Sequence, residues 1–278
     1  MQSTCFSSIF LSSLLICLFT SINLQTSFCV EDLWYSNCSQ TFKCGSIENV
    51  SYPFWGVNRA DYCGQPGFKL DCQDDVPKIM MLQNTFRVLG INPEQQILKV
   101  ARDDYWKDIC PAEFINTTID STHFSYVSSG LQNLTIYYDC YLGSNTYYLP
   151  PSLNCIINTT TINVLYATIT SSYDPFLGEC ISNVQIPINE TAAQTLYENP
   201  MMVNDTLKAG FDLQWKIGGD QCNRCLNSGG VCGYNRTTTQ FTCFCQDQPW
   251  SSTCPPRPGL SLFFLATLHS FLVLVSTL

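Results

Sequence analysis

The chain has 278 residues, of which 45% are hydrophobic and only 13% charged, and its formal net charge is −9. Thirteen basic residues over this length do not supply the basic face that a nucleic-acid binder needs, so that function is excluded. Seventeen cysteines are more than a reduced cytosolic enzyme uses, and they indicate an oxidising compartment in which disulfides supplement the core. The chain has two histidines, His123 and His269, which removes most histidine-dependent chemistry.

Residues 1–29 are predicted to be a secretory signal peptide. Residues 6–24 are apolar and uncharged, and a polar stretch follows them. Cleavage after Cys29 would place Ser27 and Cys29 at the −3 and −1 positions and would leave 14 cysteines, enough for seven disulfides. The usual basic residue near the start is missing, so an N-terminal membrane anchor is the alternative interpretation.

The charges divide the remaining chain into three segments. Residues 31–107 hold eight basic and ten acidic residues, and residues 108–207 hold nine carboxylates without any Lys or Arg. Residues 208–278 hold five basic and three acidic residues. Such an uneven distribution predicts separate modules rather than one uniform surface.

Eight N-x-S/T sequons in a chain with an export signal predict a glycoprotein. The glycans would solubilise the middle segment, which lacks cations. Seven of the sequons are headed by Asn49, Asn116, Asn133, Asn158, Asn189, Asn204 and Asn235. The eighth, at Asn37, is the least favourable because Cys38 follows it.

The secondary structure is predicted to be mostly strand. Three segments are rich in β-branched and aromatic residues and are bounded by turn-forming residues: 95–103, 133–142 and 161–170. A helix is predicted over residues 191–199, where Pro200 stops it. A second short helix is predicted to begin at Asn204 or Asp205 and to end at Gly210.

Two runs rich in aromatic residues and glycine stand out in the first segment. YPFWG occupies residues 52–56, YCGQPGFKLDC occupies residues 62–72, and PKIMMLQNTFRVLGINPEQQILKVAR follows over residues 77–102. With these runs the chain resembles the galacturonan-binding extracellular domain of plant wall-associated receptor kinases. The resemblance assigns that domain to residues 34–107 and leaves residues 108–149 as a connecting β segment.

Two later runs resemble the C-terminal domain that accompanies it, and this domain is assigned to residues 150–254. They are KAGFDLQW at residues 208–215 and CNRCLNSGGVCGYNRTTTQFTCFCQD at residues 222–247. Together the runs resemble most closely the ectodomain of leaf-rust-resistance-type receptor-like kinases. The expected fold is therefore mainly β and disulfide-rich, with two extracellular modules, the second of which ends in an EGF-like cysteine knot. One or two short helices are expected within it.

Six cysteines over residues 222–254 have the spacing C-x2-C-x6-C-x10-C-x-C-x8-C, whose closing part looks like an EGF-like module. That resemblance implies the disulfides Cys222–Cys232, Cys225–Cys243 and Cys245–Cys254. Six cysteines allow many pairings, so another small knot is an alternative, and C-x2-C can also supply zinc ligands, although export favours disulfides. The pairing of the other eight is left open: Cys38, Cys44, Cys63, Cys72, Cys110, Cys140, Cys155 and Cys180.

The resemblance implies binding of cell-wall polysaccharide, chiefly pectin. Pectin is a polyanion and the chain is acidic, so attraction by the whole surface is excluded, whereas a local site of cations and aromatic faces is not. The candidate ligand-binding residues are Arg59, Lys69, Lys78, Arg87, Tyr52 and Trp55. In the alternative interpretation the YPFW run is core, and the eight cations of this module are solvated surface: Lys43, Arg59, Lys69, Lys78, Arg87, Lys99, Arg102 and Lys107.

Catalysis has little support in the sequence. The carboxylates of Asp74–Asp75 and of Asp103–Asp104 are adjacent in the chain, so in a strand they would point to opposite faces. The Gly-rich loop and the HRD and DFG motifs of a kinase are missing from the sequence given, and we expect no enzyme activity. No cofactor or metal is expected, and calcium enters only as a bridge between pectin and the acidic residues 108–207.

Residues 260–278 form an apolar tail without charges. A GPI-anchor signal, a retained tail anchor and a truncated product are the three interpretations of this tail. The predicted location is the extracellular face of the plasma membrane or the cell wall. The predicted partners are pectin, the membrane and receptor-like kinases. Pectin binding is the leading function, and the alternative is a kinase-less receptor ectodomain that acts as co-receptor or decoy for receptor-like kinases.

Overall fold

The computed structural model describes residues 33–141, 152–157, 159–168 and 180–256. The predicted signal peptide, the predicted C-terminal tail and the sequon at Asn158 lie outside these residues. The described part of the chain forms fifteen strands and four short α-helices, so the prediction of a mainly β, disulfide-rich fold is confirmed. None of these helices is both long and apolar enough to cross a membrane.

The strands are, in chain order, β1 (Phe42–Cys44), β2 (Ile47–Val50), β3 (Leu70–Asp71), β4 (Lys78–Met81), β5 (Asn84–Asn92), β6 (Ile97–Arg102), β7 (Phe124–Tyr126), β8 (Leu131–Cys140), β9 (Ser152–Ile157), β10 (Thr160–Thr168), β11 (Cys180–Asn189), β12 (Phe211–Trp215), β13 (Val231–Asn235), β14 (Gln240–Phe244) and β15 (Pro249–Trp250). The helices are α1 (Leu33–Ser39), α2 (Glu190–Glu198), α3 (Val203–Ala209) and α4 (Gly219–Asn227). The predicted strand segments overlap β6, β8 and β10, and the predicted helices overlap α2 and α3.

The first core lies on one face of a six-stranded antiparallel sheet of order β3-β4-β5-β6-β12-β7. Side chains alternate between the two faces of a strand, and the apolar ones face this core. Those on β3 to β6 are Leu70, Ile79, Met81, Phe86, Val88, Leu98 and Val100. Phe54 packs among them and makes edge-to-face contacts with Phe68 and Trp215. The YPFW run therefore contributes one of its aromatic rings to the core.

The second core lies between a four-stranded antiparallel sheet of order β11-β8-β10-β9 and helices α2 and α3. Alternate residues of β8, beginning at Leu134 and Ile136, are buried against Ala193 and Leu196 of α2. Helix α2 begins where the side chain of Asn189 accepts a hydrogen bond from the backbone N–H of Ala192, at 2.7 Å. Asn189 is also the first residue of a sequon, and its side chain caps the helix in addition to being a predicted glycan attachment point.

Seven disulfides involve every cysteine from Cys38 to Cys254. The three near the C-terminus are Cys222–Cys232, Cys225–Cys243 and Cys245–Cys254, which are the pairs that the EGF-like resemblance implies. The other four are Cys38–Cys63, Cys44–Cys72, Cys110–Cys155 and Cys140–Cys180. Because the sulfurs of the C-x2-C motif are oxidised in these bridges, the motif has no thiolate to offer a zinc ion.

Helix α4 is one of two helices that the sequence does not predict, α1 being the other. It begins after Gly218, whose φ is +86° and which has no side chain to cap the helix. Cys222 and Cys225, one turn apart on α4, form disulfides with Cys232 and Cys243 in the hairpin of β13 and β14. Covalent bonds hold this helix where an apolar stripe is missing, which explains why periodicity did not reveal it.

Strands from both predicted modules meet in the six-stranded sheet. Strand β12, which lies in the predicted second module, pairs with β6 of the first through the registers Phe211↔Val100 and Leu213↔Leu98. Strand β7, from the predicted connecting segment, pairs with the other edge of β12. The predicted boundaries at residues 107 and 150 therefore separate strands that share one sheet and one core.

Replacing Trp215 tests whether this sheet unfolds as one unit. Its side chain is 3% exposed and meets Phe54 with ring centroids 5.2 Å apart. Trp215→Ala should cost about 3–5 kcal/mol of unfolding free energy, because it leaves a cavity in a core built from both modules. Trp250→Ala, at a 38% exposed position on β15, should cost less than about 1 kcal/mol and serves as the control.

Urea denaturation followed by far-UV circular dichroism measures both variants. We expect the Trp215 variant to unfold earlier in a transition that includes β3 to β6. Two resolved unfolding transitions, of which Trp215→Ala shifts only the one that reports the C-terminal residues to lower urea concentration, would contradict the shared core.

Candidate functional site

A groove of about 770 Å³ lies beside the edge of the six-stranded sheet that is formed by β3 and β4. The alternation that buries Leu70 and Ile79 turns Lys69, Lys78 and Met80 towards the other face, where they line the groove. Further lining residues include Val57, Asp71 and Thr85. The edge of the sheet thus presents a concave surface whose shape is set by core residues behind it.

The groove combines exposed apolar surface with positive charge. Val57, which lies in a turn, is 63% exposed, and Met80, on β4, is 72% exposed, so both leave apolar surface open to solvent. Lys69 and Lys78 stand beside them, and Asp71 contributes one carboxylate. This chemistry suits a ligand that has both apolar faces and negative charges.

Lys78 and Arg87 face each other directly on β4 and β5, which would be destabilising for two like charges. Asp103, immediately after β6, offsets the repulsion between these two cations. Its carboxylate accepts hydrogen bonds from Lys78 Nζ at 2.8 Å and from Arg87 Nε at 2.5 Å. Burial raises the pKa of Asp103, but the hydrogen bonds from Lys78 and Arg87 outweigh it and leave the pKa below its usual range. Arg87 also stacks on Trp106, with its guanidinium carbon 4.5 Å from the ring centroid.

Trp55 lies next to the groove, beside Lys69. A backbone bridge pairs the two residues, and Lys69 Nζ is 5.6 Å from the centroid of the Trp55 ring. The indole N–H of Trp55 donates to the carbonyl of Gln65 at 2.8 Å, which fixes the ring orientation. Lys69 is exposed, and within the described part of the chain it forms no ion pair. It is therefore the cation of this site that is most open to an incoming anion.

Tyr52, although only three residues from Trp55, has a different place. Its hydroxyl accepts a hydrogen bond from Gln65 Nε2 at 2.6 Å, and its ring meets Phe241 of β14 edge-on with centroids 5.9 Å apart. Burial raises the pKa of Tyr52 to about 12 against the lowering effect of the Gln65 hydrogen bond. Tyr52 lines a separate cavity of about 160 Å³ rather than the groove, and it joins the two modules.

Arg59, predicted as a ligand-binding cation, is buried, with only 6% of its surface exposed. Its guanidinium donates to the backbone carbonyls of Gln40, Cys38 and Cys63. Burial lowers the pKa of Arg59 to about 10, which still leaves it charged at neutral pH. The side chain therefore stabilises the loop around the Cys38–Cys63 disulfide and is not open to an anionic ligand, so the structure corrects this part of the prediction.

The remaining cations of the first module lie outside the groove. Lys43 is exposed and pairs with Glu48 at 3.0 Å. Arg102 is buried and binds Asp104 through Nε and Nη2, at 2.8 and 2.6 Å, which gives the Asp103–Asp104 pair a structural use rather than a catalytic one. Lys99 is half-buried and Lys107 is exposed, and neither lines the groove.

The sequons differ in how accessible their asparagines are. Asn37, Asn49 and Asn116 are exposed, whereas the others in the described part are half-buried. The side-chain oxygen of Asn204 is buried without a hydrogen-bond partner, and that of Asn235 accepts from the backbone N–H of Thr237 at 2.9 Å. Glycosylation of these sites stays a prediction, and among the exposed asparagines Asn49 and Asn116 are more favourable than Asn37, which Cys38 follows.

Comparison with known families matches the two halves of the chain separately. Residues 38–102 match the family described as wall-associated receptor kinase galacturonan-binding, and residues 154–248 match the family described as wall-associated receptor kinase C-terminal. The groove residues Lys69 and Lys78 lie within the first match. No solved structure matches the chain.

Curated relatives include leaf rust 10 disease-resistance locus receptor-like protein kinases of Arabidopsis thaliana. The kinase-like 2.5 protein is 31% identical and the match covers 82% of this chain and 36% of the relative. The kinase-like 2.1 protein is 29% identical over 78% of this chain and 35% of the relative, and the kinase-like 2.8 protein is 29% identical over 77% and 25%. The chain thus spans about a third or less of the length of these relatives.

The buried position of Arg59 yields a test that separates structure from binding. Arg59→Gln should lower the unfolding free energy by about 1–3 kcal/mol for each buried carbonyl that loses its donor. Lys43→Gln removes the same charge from an exposed position and should change it by about 0.5 kcal/mol or less. Urea unfolding measures both. An Arg59 variant as stable as the wild type, but defective in ligand binding, would instead restore Arg59 to the site.

Proposed function

The chain belongs to the wall-associated receptor kinase type of ectodomain, with its galacturonan-binding and C-terminal domains, and from this premise we propose that it binds acidic cell-wall polysaccharide at the plant cell surface. The matched residues make it a binding module rather than an enzyme. The ligand class is galacturonan, the acidic backbone of pectin, and the proposed site is the groove beside β3 and β4.

The observation that carries this proposal is the grouping of Lys69 and Lys78 in one groove inside the galacturonan-binding match. A galacturonan chain has one carboxylate on each sugar, and its rings also have apolar C–H faces. Lysine ammonium groups bind carboxylates, while Met80 and Val57 offer apolar surface to the rings. The groove therefore has a complementary group for each part of such a ligand.

The local charge of the groove permits this attraction in an acidic protein. Three cations, Lys69, Lys78 and Arg87, and two carboxylates, Asp71 and Asp103, stand in or beside the groove, which leaves a local excess of one positive charge. The chain as a whole carries −9. An anion is therefore attracted at short range only, and added salt should weaken binding because the groove is open to solvent.

Replacing the two groove lysines tests the proposal. Lys69→Gln and Lys78→Gln should each weaken binding of de-esterified polygalacturonate by about 1–3 kcal/mol, since each removes a charge-assisted contact. Lys43→Gln removes the same charge outside the groove and should bind as the wild type does. Isothermal titration calorimetry at two salt concentrations, with fully methyl-esterified pectin as the uncharged comparison, measures these differences.

The wild type should prefer the de-esterified polymer, and this preference should fall as salt rises. Equal affinity of all three variants for polygalacturonate would contradict the groove as the site. Binding that is abolished by a calcium chelator but unaffected by salt would instead favour a calcium bridge to the acidic residues 108–207.

Removing Asp103 should have the opposite effect. Asp103→Asn takes away the internal anion that competes for Lys78 and Arg87, so polygalacturonate should bind more tightly although the protein becomes less stable. Asp205→Asn on α3 removes the same charge from an exposed position and controls for net charge. Weaker polymer binding by a folded Asp103 variant would show that these cations do not face the ligand.

A second candidate function follows from the relatives, which are receptor-like kinases. We propose as the alternative that the chain acts as a co-receptor or decoy for such kinases at the extracellular face of the plasma membrane. Capture of a receptor-like kinase ectodomain by the purified chain, with no response to polygalacturonate, would favour this alternative over glycan binding.

A further inference from the structure

The Trp55 ring joins the groove to the EGF-like module. Lys69, which lines the groove, has its Nζ 5.6 Å from the ring centroid. Arg236, from the turn between β13 and β14, has its guanidinium carbon 5.7 Å from the same centroid. The separation of the two positive charges therefore cannot exceed the sum of these distances. Arg236 lies far along the chain from the other candidate residues, so no local pattern in the sequence groups it with them.

Arg236 is positioned by contacts that fix the hairpin against the first module. The side chain of Asn235 accepts hydrogen bonds from the backbone N–H groups of Thr237 and Thr238, at 2.9 and 3.1 Å, which closes the turn beside Arg236. Lower on the hairpin, the ring of Phe244 meets the ring of Tyr62 edge-on, with centroids 6.1 Å apart. The turn is thus held next to Trp55 by both modules.

The guanidinium of Arg236 retains free donors for a ligand. Its side chain is 51% exposed, and its ion pair with Asp61 uses Nη2 at 2.9 Å. An arginine has five N–H donors, so a carboxylate could be bound through the edge that Asp61 does not use. An exposed ion pair of this kind contributes little to stability, and a shift of Arg236 towards a ligand therefore costs little.

We infer that the binding surface continues from the groove past Lys69 and Trp55 to Arg236, so that both modules hold one acidic oligosaccharide. This inference rests on the proposed function and adds a specificity for chain length. A short galacturonan fragment can occupy the groove at Lys69 and Lys78 without reaching Arg236. A longer chain can place a further carboxylate on Arg236, with a sugar ring against Trp55.

The test compares Arg236→Gln with the wild type across de-esterified galacturonan from the disaccharide, through intermediate lengths, to the polymer. The full secreted chain is used after enzymatic removal of N-glycans, because the sequon at Asn235 adjoins Arg236. Arg224→Gln, at an exposed position on α4 of the same module, removes the same charge and is the matched control. Calorimetry gives the affinity, and urea unfolding checks that all variants are folded.

We expect Arg236→Gln to bind the polymer about tenfold more weakly, as loss of one charge-assisted contact predicts, and to bind the disaccharide as the wild type does. Arg236→Lys keeps the charge but loses the bidentate geometry, so its affinity for the polymer should lie between those of the wild type and Arg236→Gln. Arg224→Gln should match the wild type at every length.

Two results separate the inference from the proposed function. If Lys69→Gln weakens binding but Arg236→Gln binds every length as the wild type does, the extended site is wrong and the groove stands. If the wild type binds no galacturonan of any length, the proposed function fails, and the extended site fails with it. A loss of affinity in the Arg236 variant that is the same for the disaccharide and the polymer would also contradict the chain-length specificity.

Discussion

The pairing of β12 with β6 is the contact on which the arrangement of this molecule depends. Strand β12 lies in the C-terminal family match, whereas β6 lies in the galacturonan-binding match. Directly after β12, the backbone N–H of Lys216 donates to the carbonyl of His123, and Gly218 packs against Tyr52. The chain then enters α4 and the EGF-like hairpin. Because β12 is held in the sheet, the hairpin of β13 and β14 lies next to Trp55. Arg236, in the turn of this hairpin, therefore lies beside the groove.

The charges of the groove are compatible with folding because the two cations that face each other share an anion. Lys78 and Arg87 would repel each other across β4 and β5, and the carboxylate of Asp103, which both of them bind, offsets this repulsion. Lys69 lacks such a counter-ion in the described part of the chain and instead lies over Trp55. Under the proposed function, Lys69 is ready for a ligand carboxylate, whereas Lys78 and Arg87 would exchange the carboxylate of Asp103 for one of the ligand.

Local patterns predicted three of the strands in the described part of the chain, and the EGF-like resemblance implied the C-terminal disulfides, but neither could predict which cations meet. β-branched and aromatic residues bounded by turn-forming residues identified the segments that form β6, β8 and β10. Arg59 and Lys69 look equivalent in the sequence, yet Arg59 is buried against backbone carbonyls and Lys69 is exposed. Their difference depends on loop geometry around a disulfide. The contact of Arg236 with Trp55 depends on a long-range strand pairing, which no local pattern encodes.

The indole N–H signals of the five tryptophans report on the proposed binding of an acidic oligosaccharide across Trp55. Nuclear magnetic resonance spectra of the chain, carrying isotope-labelled tryptophan, would be recorded while de-esterified oligogalacturonide is added. We expect the Trp55 signal to shift in a saturable way, while the signals of the buried Trp215 and of Trp250 on β15 stay in place. Saturable binding that shifts Trp250 and leaves Trp55 unchanged would contradict binding across Trp55.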